Sequence, residues 1–271
     1  MEALAVKIAQ YGTAEEIRGQ IRAALARGLP EIAPALCAHD GTFLVAGSGP
    51  SLPQYVDDLR AQHALGRPIC AVNHAHDYLI EQGLEPTFFS TLDPRPRANH
   101  HLRLLGEHTI YLLASRCHPE MFDRLQGKQV ILWHSWAAQD EAEDIWASRK
   151  TFLIGGGTTS GMRAIAVGYI LGFRKFILYG LDSCLAPDGM TKRFNGDKSG
   201  TTITVRVGQY VGENESCDPQ AKAFTCNYAM AQQGNDFNAC YRDMPDASFE
   251  VRGEGLLAAI VAQRKAMGLR I

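Results

Sequence analysis

Two aspartates and two glycine-rich corners carry most of the chemistry this 271-residue chain could do. Gly47-Ser48-Gly49-Pro50-Ser51 follows the apolar run Thr42–Ala46, and Gly155-Gly156-Gly157-Thr158-Thr159-Ser160-Gly161 follows Phe152–Ile154. A glycine corner between a buried strand and a helix lets backbone N–H groups approach an anion, and the helix N-terminus adds a positive dipole. That pattern suits the phosphates and sugar hydroxyls of a nucleotide. An ordinary tight strand-to-helix turn is the alternative for the first corner. Asp93 and Asp182 each stand just past an apolar run, Pro86–Leu92 and Lys175–Tyr179. Carboxylates at two strand ends could hold Mg²⁺ against substrate phosphates, because Mg²⁺ takes few carboxylates and keeps positions for substrate oxygens. An Asp-Pro turn cap is the other reading of Asp93. Asn73 closes the run Pro68–Val72 and offers both halves of its amide to a base or ribose.

Histidine and cysteine usage narrows the options. All nine histidines lie between His39 and His134. His74 and His76 have a spacing that fits metal ligands on an extended segment, but no third ligand stands at a recognisable distance, which favours surface or capping roles. The seven cysteines include no CxxC pair, which argues against a disulfide framework and a zinc knuckle. Arg95, Arg97, His100 and His101 form a polar segment after Asp93 that either faces an anionic ligand or is simply solvated.

The elements that must position these groups alternate between two periods. Buried runs at Thr42–Ala46, Pro68–Val72, Pro86–Leu92, Thr109–Ala114, Gln129–Trp133, Lys175–Tyr179 and Ser248–Val251 read as strands, separated by helical patterns. The sequence therefore predicts an α/β fold, a doubly wound, mostly parallel sheet of Rossmann-like form. Residues 1–40 read as a helical extension of two helices, with Ile17, Ile21, Ala24 and Leu25 at helical spacing, useful as a cap or a homo-oligomer contact. Residues 41–271 read as the Rossmann-like domain, carrying a polar loop or lid at about 185–217. The first corner is neither GxGxxG, since Leu52 stands where the third glycine belongs, nor a P-loop. With Asn73 instead of an acid at the second strand end, a nicotinamide oxidoreductase is disfavoured.

Apolar content of 46%, charged content of 21% and a net charge of −2 are those of a globular chain. They give no support for nucleic acid as a partner, and no apolar run is long enough for a membrane span. The first residues mix acids with apolar residues and lack a signal-peptide pattern, so the expected compartment is cytoplasmic.

Five separated segments go beyond generic patterning: AGSGPSL (46–52), AVN (71–73), TSGMRAIAVGYILGFRKFILYGLDS (159–183), AFTCNYAMAQQGNDF (223–237) and EVRGEGLLAAI (250–260). Together they resemble the 6-hydroxymethylpterin diphosphokinase MptE-like family, which takes in the motility accessory factor (Maf) flagellin glycosyltransferases. The first three are also similar to the nucleotide site of bacterial sialyltransferases. The resemblance implies that Gly47, Ser48, Gly49, Pro50 and Ser51 line the phosphate and ribose, and that Asn73 meets the base or ribose. It places Thr159, Ser160 and Gly161 at the phosphates, and Asp182 by the reacting centre or its metal. Ser48 replaces the turn asparagine of the sialyltransferases. Those enzymes also use a histidine base in the C-terminal half, where this chain has none. The base is then Asp93, Asp182, His74 or His100. The implied function is a transferase with a nucleotide donor and an alcohol or glycan acceptor. It passes either a diphosphate from ATP to a hydroxymethylpterin-like alcohol or a glycosyl group from a nucleotide sugar. Mg²⁺ on Asp93 and Asp182 is the expected cofactor. The missing histidine favours a second possibility, a non-catalytic nucleotide-binding accessory protein.

Overall fold

A computed structural model describes residues 12–148, 151–208, 210–211, 216–217 and 221–271. The elements run α1 (Ala14–Leu25), β1 (His39–Ala46), a 3-10 turn (Leu52–Tyr55), α2 (Val56–Ala64), β2 (Ile69–Val72), α3 (Ala75–Glu81) and β3 (Phe88–Thr91). They continue through α4 (Ala98–His101), β4 (Ile110–Ala114), α5 (Pro119–Arg124), β5 (Val130–Trp133), α6 (Gln139–Ser148), α7 (Ser160–Ile170) and β6 (Phe173–Tyr179). Past β6 come β7 (Ile203–Val207), β8 (Tyr210–Val211), β9 (Ser216–Cys217), β10 (Lys222–Cys226), α8 (Tyr228–Asp243), β11 (Ser248–Val251) and α9 (Leu256–Ala266).

Seven strands form one sheet in the order β11-β6-β1-β2-β3-β4-β5, and every neighbouring pair is parallel. The continuous apolar runs follow from this arrangement, since a parallel sheet covered by helices buries both of its faces. On β1, Phe43 and Val45 join one hydrophobic cluster while Leu44 and Ala46 join the other. Helix α7 is buried at every position from Ser160 to Gly168, which explains a sequence apolar nearly all round. The expected doubly wound α/β fold is the observed one.

The N-terminal segment is less separate than its pattern suggested. Thr13 and Glu16 form a capping box at the start of α1, and Ile17, Ile21, Ala24 and Leu25 belong to the same cluster as the sheet. Arg18 grips Asp144 of α6 through two hydrogen bonds of 2.7 and 2.8 Å. Beyond α1, Ile32 N–H donates to Leu132 O and Leu132 N–H donates to Pro30 O, so residues 30–32 cover the free edge of β5. The first of the two expected helices falls on residues 1–11, which lie outside the described residues. The polar segment after β6 also runs past its expected end, because β7 pairs antiparallel with β10 as a two-stranded ribbon reaching Cys226. No described helix is long and apolar enough to cross a membrane.

Candidate functional site

From β1 the chain winds outward through β2, β3, β4 and β5, then crosses back to lay β6 on the other side of β1. The carboxyl ends of β1 and β6 therefore flank the point where the winding reverses, the place where open α/β sheets bind ligands. A cavity of about 520 Å³ opens there. Gly47, Ser48, Gly49, Asn73, Asp93, Thr159, Ser160, Gly161 and Asp182 all line it, whereas Pro50 and Ser51 do not.

The first glycine corner works differently from its expected role. Gly47 N–H donates to Tyr179 O and Gly49 N–H to Gly180 O, both at 2.8 Å, and Ser51 N–H donates to Asp182 Oδ2 at 3.1 Å. Those donors hold the turn against the end of β6, so they do not face an anion. A Cβ on Gly49 would sit 2.2 Å from Asp182 Oδ2 and 2.6 Å from Gly180 O, and one on Gly47 would sit 2.6 Å from Gly180 O. The glycines are required by this close backbone approach. Ser48 O in turn accepts the N–H of Phe194 at 3.2 Å, tying the turn to the polar segment after β6.

At the second corner the donors are open. Thr159 caps α7, its Oγ1 accepting Met162 N–H, and the N–H groups of Ser160 and Gly161 begin the helix with no intrahelical acceptor. Helix α8 braces this corner. Asp236 Oδ2 accepts Thr158 N–H and Oγ1–H at 2.8 and 2.7 Å. Gln233 donates to Thr159 Oγ1 at 2.9 Å and accepts from Ser183 Oγ at 3.0 Å, linking the helix cap to the end of β6.

Asn73 and Ser183 are the two non-glycine residues with positive φ among the described residues, each at 52°, and both line this cavity. Such backbone costs energy and tends to collect at functional sites. Asn73 Oδ1 accepts from Thr91 Oγ1 at 2.9 Å, which leaves its amide N–H groups to donate.

Neither expected carboxylate is open. Asp93 is held by its neighbour: Arg95 N–H and Nε donate to Oδ1 at 3.1 and 2.8 Å, and its Nη2 donates to Oδ2 at 2.7 Å. Burial pushes the Asp93 carboxyl up, but the hydrogen bonds and charge of Arg95 outweigh it and hold the group below 3.8. Asp182 is 8% exposed. Burial lifts its pKa, and the hydrogen bonds from Ser51 offset only part of the rise. Where Mg²⁺ was expected to bridge the two, one carboxylate is an ion-pair partner and the other a strut under the Gly49 turn. Among the described residues no group of three or more His, Cys, Asp or Glu could hold a metal ion. This donor set does not fit a bound Mg²⁺.

The histidines named as candidate bases stand elsewhere. Neither His74 nor His100 lines the cavity. His74 packs edge-on against His101 at 4.7 Å, and burial pushes His101 down to about 3.

Several lining residues escaped the sequence reading: Arg116, Glu141, Arg163, Lys192, Arg193 and Gln233. Arg163 stands one turn into α7 after Ser160 and is 6% exposed; it donates to Ile154 O and, at 2.7 Å, to Trp136 O. Burial lowers its guanidinium to about 10, which leaves it charged at neutral pH. Glu141 lies 3.5 Å from Arg116 and is 5% exposed. Burial lifts its carboxyl above 4.5 against the pull of Arg116. With Arg95, five cations line the cavity against the three carboxylates Asp93, Glu141 and Asp182, in a chain whose net charge is −2. A concave site of that sign concentrates anionic ligands.

A model of the family described as 6-hydroxymethylpterin diphosphokinase MptE-like matches residues 26–188. Among solved structures, a Maf glycosyltransferase from Magnetospirillum magneticum AMB-1 is similar at 14% identity and a TM-score of 0.66. The match covers 97% of this chain and 43% of that one, so this chain spans less than half of that protein's length. A mammalian sialyltransferase in complex with Gal-beta-1-3GalNAc-ortho-nitrophenol matches at 11% identity and a TM-score of 0.43, over 92% of this chain and 82% of the other. The first likeness shows a shared fold; the second is too remote to build on. No curated protein matches this chain.

Proposed function

The chain belongs to the 6-hydroxymethylpterin diphosphokinase MptE-like family, and from that premise we propose that it is a transferase taking a nucleotide donor in the cavity between the ends of β1 and β6. One observation carries this reading: the cavity joins an open helix N-terminus to five side-chain cations. Helix dipole and guanidinium groups are the usual receptors for phosphate. Its volume of about 520 Å³ falls in the range of small-molecule sites, roughly 300–1,000 Å³. Ser160 and Gly161 N–H groups hold phosphate oxygens, Asn73 donates to the base or ribose, and the loop carrying Lys192 and Arg193 closes over the anion.

Of the two reactions open to such a donor, glycosyl transfer is the one the side chains favour. Its leaving group is a nucleotide phosphate departing from an anomeric carbon, and the arginines and Lys192 can meet that charge directly. Diphosphate transfer from ATP to a hydroxymethylpterin-like alcohol is the second reading, favoured by the family's description. No step here is routed through Mg²⁺.

The test is an incubation of the protein with CMP- and UDP-sugars and with ATP plus 6-hydroxymethylpterin, with and without Mg²⁺, followed by chromatography and mass spectrometry. Release of a nucleoside phosphate with transfer of the sugar is the expected result. A pterin diphosphate would select the second reading. Tight nucleotide binding with no product from any donor would make the chain an accessory protein that binds without turnover.

A further inference from the structure

Arg116, Glu141 and Arg163 bring three unpartnered buried polar atoms into one cluster: Glu141 Oε2, Arg116 Nε and Arg163 Nε. Arg116 and Glu141 are 3.5 Å apart, and Arg163 reaches the carbonyl of Trp136 beside them. All four residues line the same cavity, and Trp136 keeps 45% of its surface exposed. Leaving a buried donor or acceptor unmet is costly, roughly 1–3 kcal/mol for each atom, so a cluster of three beside the cavity marks a place for a polar group. A hydroxyl group suits this gap because it can donate to the carboxylate and accept from a guanidinium.

The other carboxylates of the cavity are engaged, Asp93 by Arg95 and Asp182 by the N–H of Ser51. No histidine lines the cavity, and Cys184 is a thiol that burial keeps protonated. Among the described residues, Glu141 is therefore the one carboxylate of the cavity with a fully buried oxygen that nothing meets.

We infer that Glu141 is the general base of the reaction, and that the hydroxyl of the acceptor docks among Glu141, Arg116 and Arg163. This rests on the nucleotide-donor reading of the same cavity. In the step, the acceptor oxygen forms a bond to the anomeric carbon while its proton passes to the Glu141 carboxylate. The bond from that carbon to the donor phosphate oxygen breaks, and its electron pair leaves on the nucleotide. The protonated Glu141 then releases its proton to water. Burial, with Asp140 adjacent, lifts the carboxyl above the ordinary range against the pull of Arg116 and Arg163, and brings its basicity nearer to neutral pH.

The experiment compares the wild-type protein, Glu141→Gln and Glu141→Asp. Calorimetry with CMP, UDP and ATP reads nucleotide affinity. Nucleotide release from CMP-sialic acid, UDP-N-acetylglucosamine and ATP, with water or a methyl glycoside as acceptor, reads turnover across pH. The expected result is a nucleotide Kd within a few-fold of wild type in both variants. For Glu141→Gln, kcat falls by roughly 100-fold or more and loses its rise with pH, while Glu141→Asp recovers part of the rate. A Glu141→Gln variant with wild-type kcat, or one that loses nucleotide binding along with turnover, overturns the assignment of the base. A wild-type protein that neither binds nor releases any of the nucleotides instead overturns the donor reading, and this assignment falls with it.

Discussion

The carboxylate of Asp182 accepts the N–H of Ser51 at 3.1 Å, joining residues 131 positions apart, and a Cβ on Gly49 would fall 2.2 Å from the same oxygen. The end of one strand thus fixes the turn after its neighbour. Asp182→Ala strands the Ser51 N–H and is expected to cost about 1–3 kcal/mol in urea unfolding. Asp182→Asn keeps an acceptor there and is expected to stay within about 1 kcal/mol of wild type, since burial already disfavours the charge. Gly49→Ala is expected to be worse than either, because Gly180 O, a backbone atom 2.6 Å from the added carbon, cannot swing aside. An Asp182→Asn variant that is fully stable, binds nucleotide and has no turnover would return Asp182 to the chemistry.

Asp93 and Arg95 make a pH-dependent contribution whose sign follows from the geometry. The folded carboxyl lies below 3.8, so the pair stabilises the fold above that value and loses its effect as pH falls through the lower folded one. Asp93→Asn is expected to be about 1 kcal/mol less stable than wild type at neutral pH, a modest value for a partly exposed pair. The two melting temperatures should converge in acid. A gap that persists unchanged into strong acid contradicts the pairing.

Glu141 has the opposite sign. Its carboxyl is raised above 4.5, so the folded state binds the proton more tightly, and wild-type stability declines as pH rises from 4.5 through the raised value. The charges that face it are Arg116 and Arg163, with Asp140 on its own helix. Relative to wild type, Glu141→Gln is expected to gain stability over that interval and to keep the gain at neutral pH. Calorimetric melts at several pH values read the trend. A neutral-pH loss of stability would mean that the two arginines outweigh burial.

Gln233 couples the cap of α7 to the end of β6 through two hydrogen bonds, one to Thr159 Oγ1 and one from Ser183 Oγ. Gln233→Ala is expected to weaken nucleotide binding by about 10-fold, some 1.4 kcal/mol, through a loosened helix start. The fold should keep most of its stability, because Gln233 is only partly buried. Unchanged affinity would show that the helix start needs no brace.

Much of this arrangement is legible in the amino-acid sequence. The strands were readable because a sheet covered on both faces demands uninterrupted apolar runs such as Phe43-Leu44-Val45-Ala46. Both glycine corners, Asn73 and the two aspartates stand out because each directly follows such a run, and all of these positions except Pro50, Ser51, Gly155 and Gly156 line one cavity. What adjacency could not reveal was which groups were already engaged. The N–H groups of Gly47 and Gly49 look open in a linear reading, but Tyr179 at the end of β6 and Gly180 just past it accept them once β6 lies beside β1. Arg116, Glu141 and Arg163 come from a loop and two helices with no shared local motif, so only the crossover from β5 to β6 assembles them. Gln233 and Asp236 carried a faint signal, a pair three apart in the segment 223–237. Spacing of that kind marks one helix face without naming what the face holds.

On the proposed reading, side-chain cations and a helix start, rather than a metal held by Asp93 and Asp182, receive the phosphates. The most direct measurement is a calorimetric titration of CMP, UDP and ATP into the wild-type protein in excess EDTA, repeated at rising salt and with Lys192→Ala/Arg193→Ala. Saturable binding at one site is expected in EDTA, weakening with salt and falling by roughly 10-fold or more in the double variant. Binding that appears only when Mg²⁺ is restored, or that ignores both salt and the loss of Lys192 and Arg193, would contradict it.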